Sequence, residues 1–229
     1  MDNILLEKVQ EIVLTEAAKN NRISERALAE IIGLSRTPIR ESLQHLEEHG
    51  LIDRRHRAGI RLRKIPLGEL LEIYDLRGLL EGLACRMLAE RRDEVVLLKL
   101  HRANEEYLQV TGPGGTEAES DQKDIVFHRL IIENCGACRL PRMVNILRII
   151  TRSFGILPEI EPGMKKRRRS RYRYRRSQSH EKIIAALAEG NPSRAEKAMR
   201  LHIEEAKQNL VHSTKVNCTR GKTGGKEVI

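Results

Sequence analysis

The chain has 229 residues, 40% of them hydrophobic and 32% charged, which fits one or two folded, helix-rich domains and excludes a disordered chain. No apolar run approaches the roughly eighteen residues of a membrane helix, and the absence of Trp, with two Phe and four Tyr, argues against a single-strand binder that stacks bases. The net charge of +10 is a local feature: nine of the twelve residues from Lys165 to Arg176 are Lys or Arg, and without them the total falls to +1.

Residues 3–19 carry apolar side chains at positions 5, 6, 9, 12, 13 and 17, a pattern that predicts a helix ended by Asn20 and Asn21. Ser24 caps a predicted short helix, Glu25–Ile32, with Ala27, Leu28, Ile31 and Ile32 facing inward. Gly33 ends it, and Leu34 is expected to pack inward within the turn. Ser35 then caps a third helix, Arg36–His49, where Pro38 falls in the first turn and so removes no intrahelical hydrogen bond. Gly50 closes that helix. Two helices joined by a short Gly-containing turn form a helix-turn-helix. The runs Leu51–Arg55 and Gly59–Arg63, separated by His56-Arg57-Ala58, read as a two-stranded wing, with Gly59 available for a positive φ.

The third helix opens with Ser35, Arg36 and Thr37, and Arg40 follows one turn after Arg36. These side chains sit at the positive end of the helix, where they reach phosphates and base edges together. Arginine reads guanine bidentately in the major groove, and Ser and Thr hydroxyls suit phosphates. A winged helix that binds a protein partner, its arginines solvating one face, has the same periodicity. The stretch SERALAEIIGLSRTPIRESLQHLEEHGLI, residues 24–52, resembles the DNA-binding domain of the GntR family of bacterial transcriptional regulators, most specifically over Leu34–Glu41. The resemblance implies that Arg26, Ser35, Arg36, Thr37 and Arg40 contact DNA and that Gly59 lies at the wing tip near the minor groove. Members usually carry a Pro-Gly turn before the second helix; this chain has Asn20-Asn21-Arg22-Ile23 instead.

Pro66 marks the expected boundary between a DNA-binding domain, 1–66, and a helical domain, 67–212. Helices are predicted near 67–91, 93–112, 119–135, 139–157, 168–189 and 193–212, with clear turns at 112–115 and 190–193. The Gly-, Lys- and Thr-rich residues 213–229 are expected to be a disordered tail. The fold class is therefore mainly α: a winged helix-turn-helix followed by a bundle of about six helices.

Within the bundle, Asp124 and His128 are spaced i, i+4 and project from one helix face. His180 lies ten residues before Gly190 and His202 nine after Ser193, so an antiparallel pair brings them to nearly the same height. Three imidazoles and one carboxylate suit Zn²⁺, Ni²⁺, Fe²⁺ or Mn²⁺. Polar packing without a metal is the alternative. Residues 67–212 resemble the FCD effector domain of the FadR subfamily, in its shorter, VanR-like variety. The resemblance rests on Asp124-Ile-Val-Phe-His128, the segment around Ser179-His180, Ala198-Met-Arg-Leu-His202, and Tyr74-Asp-Leu-Arg77 followed by Glu81. It implies a divalent metal held by Asp124, His128, His180 and His202, and an effector carboxylate shared between that metal and Arg77. A surface ion pair between Arg77 and Glu81 is the alternative role for that arginine. Cys135-Gly136-Ala137-Cys138 stands where relatives often have Asn after Ser-Gly; with Cys85 and Cys218 far away, it reads as two partly buried structural thiols at a helix end, a redox switch being the alternative. The basic run 165–176 reads as a solvated loop and helix start, with nonspecific attraction to phosphates the alternative.

The expected protein is a cytoplasmic homodimer, not an enzyme: a DNA-binding regulator of a pseudo-palindromic operator, here taken as a repressor, whose affinity a small organic acid controls. Two rivals share these residues. A metal-free DNA-binding protein is one, and a metalloenzyme is the other, although no His-Glu-x-x-His arrangement supplies a base.

Overall fold

The computed structural model describes residues 22–48, 50–55, 59–63, 65–111, 115–156 and 166–220, together with Val9, Ile12 and Val13 in helical conformation. The rest of the predicted first helix, its Asn20-Asn21 end and the wing tip at 56–58 lie outside the described residues. By contacts the chain divides into two compact units, Met1–Leu70 with Ile149–Glu159, and Leu71–Arg148 with Ile160–Ile229.

In the first unit, α1 (Glu25–Ile32) begins at Ser24, whose Oγ accepts a hydrogen bond from the Ala27 amide at 3.1 Å, satisfying one of the four unpaired N–H groups of the first turn. Gly33, at φ 76°, ends it in the left-handed conformation that glycine adopts without steric cost. Helix α2 (Arg36–Glu48) turns Ile39, Ser42, Leu43 and Leu46 inward. Strands β1 (Ile52–Arg55) and β2 (Gly59–Leu62) pair antiparallel, Ile52 opposite Leu62 and Arg55 opposite Gly59. Ile23 adds a bridge to Ile60, exchanging backbone hydrogen bonds of 3.0 and 2.8 Å, so the segment that replaces the usual Pro-Gly is tied into the wing. Leu28, Ile32, Ile39, Leu43, Leu46, Leu51, Ile52 and Ile60 close the core. Two expectations need correction. Ile31 is 53% and Leu34 42% exposed. Leu28 and Ile32, one turn apart, take the inward stripe of a two-turn helix, and Leu34 follows a left-handed Gly33 that turns it away.

The second unit is helical: α3 (Leu67–Arg91, its first turn counted with the first unit), α4 (Glu94–Thr111), α5 (Glu117–Asn134), α6 (Leu140–Ile156, counted with the first unit from Ile149 on), α7 (Lys166–Ala188) and α8 (Pro192–Arg220). Thr116 and Glu119 form a reciprocal capping box at the start of α5. Helix α4 packs on α5 and α7, and α7 packs on α8 across the Gly190 turn. Ala84, Cys85, Leu88, Leu100, Phe127, Ile131, Val144, Ile183, Leu187, Met199 and Ile203 form the centre of this core. Helix α8 continues past Ser213 to Arg220, so those eight residues are helical where a disordered tail is expected; Gly221 is the next helix-breaking residue. Among the described residues no helix is long and apolar enough to cross a membrane.

Candidate metal centre

Three helices place four polar groups in the middle of this apolar bundle. Helix α5 supplies Asp124 and His128, one turn apart, α7 supplies His180 and α8 supplies His202; all four are buried. One donor atom from each lies within 4.8 Å of the others. His128 Nε2 is 3.1 Å from His202 Nε2, and Asp124 Oδ1 is 3.3 Å from His180 Nε2 and 3.8 Å from His128 Nε2. The predicted equal height of His180 and His202 is realised, with ring centroids 4.7 Å apart.

The outward ring nitrogens fix the tautomers. His128 Nδ1 donates to Glu81 Oε2, and His180 Nδ1 donates to Asn104 Oδ1 at 3.1 Å. Ser179 Oγ donates to the Arg176 carbonyl at 2.8 Å, so it accepts from His202 Nδ1 at 2.7 Å. Each proton is thus on Nδ1, and each Nε2 lone pair points inward. Two such lone pairs, His128 and His202, face each other at 3.1 Å, an arrangement that repels unless something positive lies between. Asp124 Oδ1 and His180 Nε2 are buried without a hydrogen-bond partner. Unmet buried acceptors of this kind are costly. Metal bonds of about 2.0–2.2 Å place donors roughly 3–4.5 Å apart, so the donor set and its spacing fit a divalent cation.

Electrostatics keep these four side chains in the form a cation would take. Burial pushes His180 down to about 4 against the opposing pull of Asp124. Burial also lowers His128, despite Glu81 and Asp124, and holds His202 well below the usual range, with His180 and His128 adding to the effect. Burial favours a neutral Asp124, but Arg176, His128 and His180 outweigh it and hold the carboxyl well below its usual range. Glu81 behaves alike: burial opposes its charge, and Arg77 and His128 more than offset it.

Arg77 donates from Nε to Glu81 Oε1 at 2.8 Å and is 5% exposed. The expected pair therefore forms, yet it is buried, and it anchors the carboxylate that orients His128. Carboxylates in that position hold metal-ligating imidazoles and raise their basicity. The motif reading places Glu81 in the opening helix but not against His128. Asn104 interrupts the buried Leu100, Ala103, Tyr107 face of α4, a signal that was present in the sequence. Partly buried Arg148 continues the Leu140–Val144 face of α6; desolvation pushes its guanidinium down to about 10 while Glu81 and Asp124 pull it up. Arg176, the last residue of the basic run, reaches inward and donates to Asp124 Oδ2 at 2.8 Å, contrary to the expectation of a wholly solvated run. Of the Cys-x-x-Cys pair, Cys135 is buried and its thiol donates to the Ile132 carbonyl, whereas Cys138 is exposed rather than partly buried.

On the first unit, Ser35, Arg36, Thr37 and Arg40 are all exposed at the N-terminal end of α2. Arg26, on α1, is exposed and pairs with Glu30 at 2.9 Å. Gly59 opens β2 at φ 81°, and a Cβ there would stand 3.0 Å from the Ile23 carbonyl. Arg54 bridges Glu25 and Glu47, tying β1 to both helices behind this face.

Comparison with known proteins agrees with this architecture. Residues 7–62 match the family described as "Bacterial regulatory proteins, gntR family", and residues 72–205 match "FCD domain". The chain is 25% identical over 215 residues to a "Probable D-xylose utilization operon transcriptional repressor" from Paenarthrobacter nicotinovorans, covering 90% of this chain and 88% of that protein. It is 25% identical over 203 residues to "HTH-type transcriptional regulator LutR" from Bacillus subtilis (strain 168), covering 82% and 90%. The solved structure of "E. coli McbR/YncC" superposes with a TM-score of 0.75 at 19% identity, over 93% of this chain and 99% of that one, which shows a shared fold. The first two relatives are described as a transcriptional repressor and a transcriptional regulator. The chain belongs to the GntR family of DNA-binding transcriptional regulators, in the branch that carries an FCD domain.

Proposed function

We propose that this regulator represses transcription by binding a pseudo-palindromic operator as a homodimer, and that a small organic acid held at a divalent metal in the helical unit controls its operator affinity. The observation that carries this reading is the convergence of three inward Nε2 lone pairs and Asp124 Oδ1, each imidazole braced from behind by Glu81, Asn104 or Ser179. Asp124, His128, His180 and His202 would hold Zn²⁺, Ni²⁺, Fe²⁺ or Mn²⁺. A bound cation supplies positive charge that attracts a carboxylate. Arg77, with Arg148 close enough to sense Glu81 and Asp124, adds guanidinium charge suited to the same anion. Arg26, Ser35, Arg36, Thr37 and Arg40 form the operator contacts, with Gly59 admitting the wing close to the backbone.

Metal analysis of purified protein tests the centre. Near-stoichiometric metal is expected in the wild type and its loss in His128→Ala and His202→Ala; trace metal indifferent to both changes would reject it. Gel-shift titration tests the DNA face: Arg40→Ala should cost about 1–3 kcal/mol of specific binding. Unchanged affinity for the operator over competitor DNA would remove Arg40 from the interface.

A further inference from the structure

Helix α3 presents two chemically different faces. Arg77, Glu81, Cys85 and Leu88 point into the bundle. On the opposite side stand Glu72, Leu76, Leu79, Leu83, Arg86 and Glu90, all exposed and spaced by steps of four and three residues. At about 100° per residue these six fall within a strip roughly 80° wide. Its centre is apolar, with Leu76, Leu79 and Leu83 at 48%, 50% and 42% exposure. Alternating steps of four and three give the 3.5-residue repeat of a seam between two paired helices. The apolar ground continues onto α8, where a surface groove of about 610 Å³ is lined by Tyr74, Leu79, Lys197, Leu201 and Glu204 among others, with Leu201 55% exposed. A contiguous apolar strip rimmed by charge marks an interaction surface.

The charges select the occupant. Glu72 and Arg86 each lie seven residues from Leu79, on opposite sides. Antiparallel pairing with a second copy, about a two-fold axis at Leu79, sets each Glu72 against the other copy's Arg86. Leu76 and the other copy's Leu83, three and four residues from the axis, then stand within one residue of the same level. Parallel pairing sets acid on acid and base on base. The Arg86 contacts within the chain, to Glu90 and Glu196, are both as long as 3.8 Å, so its head group is loosely held. A self-complementary patch of this kind is what a two-fold interface requires. We infer that the outer face of α3, extended by the α8 groove, is the homodimer interface, with the two α3 helices antiparallel across Leu79. The inference rests on the dimeric reading above and names the surface that carries it. Glu81, which braces His128, stands on the other side of the same helix.

Sedimentation equilibrium of the full-length chain and its variants tests the seam. The wild type is expected to dimerise. Leu79→Glu, which brings two carboxylates together at the axis, should weaken the dimer roughly a hundredfold or more while far-UV circular dichroism and metal content stay as in the wild type. Glu72→Arg and Arg86→Glu should each weaken it by about three- to tenfold, and the two together should restore it. A monomeric wild type overturns both the dimeric reading and the seam. A dimeric wild type whose Leu79→Glu variant stays equally dimeric overturns the seam alone and leaves this face to a different partner. Losses in the single charge variants without recovery in the double overturn the antiparallel register.

Discussion

The buried imidazoles make the helical unit sensitive to acid when metal is removed. His180 falls to about 4 in the folded chain from an ordinary value of 6.5. The unfolded chain therefore takes up the proton first, and the stability present above about pH 6.5 is lost as pH falls toward 4. For His180 alone the loss amounts to about 3 kcal/mol across that window. His128 and His202 shift in the same direction. Thermal unfolding in chelator should show Tm dropping steadily from pH 7 to 4.5; a flat profile would contradict neutral, buried imidazoles. Glu81 offers a separate measurement. Glu81→Gln keeps the shape of the side chain but removes the charge facing His128 and Arg77, and metal affinity should fall by about 10- to 100-fold. Competition with a chelating indicator reads this directly, and unchanged affinity would reduce Glu81 to a packing role.

Among the elements, the wing depends on one backbone position. Gly59 has φ 81°, and any Cβ there meets the Ile23 carbonyl at 3.0 Å, so Gly59→Ala adds left-handed strain and a close contact together. The variant should lose about 1–2 kcal/mol of stability in the N-terminal unit, read by urea unfolding, with the helical unit unaffected. The helices themselves were legible. Their apolar periods and the turns at 112–115 and 190–193 predict six segments whose ends lie within a few residues of α3 to α7 and of the start of α8. The end of α8 was not, because Gly- and Lys-rich composition suggests disorder while Ser213–Arg220 contains no Gly or Pro to stop a helix already propagating. Ile31 and Leu34 were placed wrongly for a different reason. Over eight residues, periodicity does not distinguish Ile31 from its neighbours at the edge of a stripe, whereas packing against α2 and the wing does; Leu34 lies past the helix, where the left-handed Gly33 turns it outward.

For the whole molecule, the proposed metal site would link binding to folding. A cation that binds only the assembled site, whose four donors come from three helices, stabilises the protein by mass action, about 2.7 kcal/mol at one hundred times its dissociation constant. Added Zn²⁺, Ni²⁺, Fe²⁺ or Mn²⁺ should therefore raise the Tm of chelator-stripped wild type, while His202→Ala should show no such rise. Equal shifts in both proteins would mean that the ions act elsewhere. The convergence of Asp124, His128, His180 and His202 was readable in the chain, since i, i+4 spacing and equal distances from a tight turn are one-dimensional facts about helices. The Leu34–Glu41 segment likewise marked the helix-turn-helix of the family without coordinates. What surrounds the cluster was not readable, because Glu81, Asn104, Arg148 and Arg176 come from four helices and their burial depends on which faces meet across the bundle. Local spacing settles which side chains share one helix face. Long-range packing settles which faces share a cavity, and so turned Arg77–Glu81 from a surface pair into the brace behind His128.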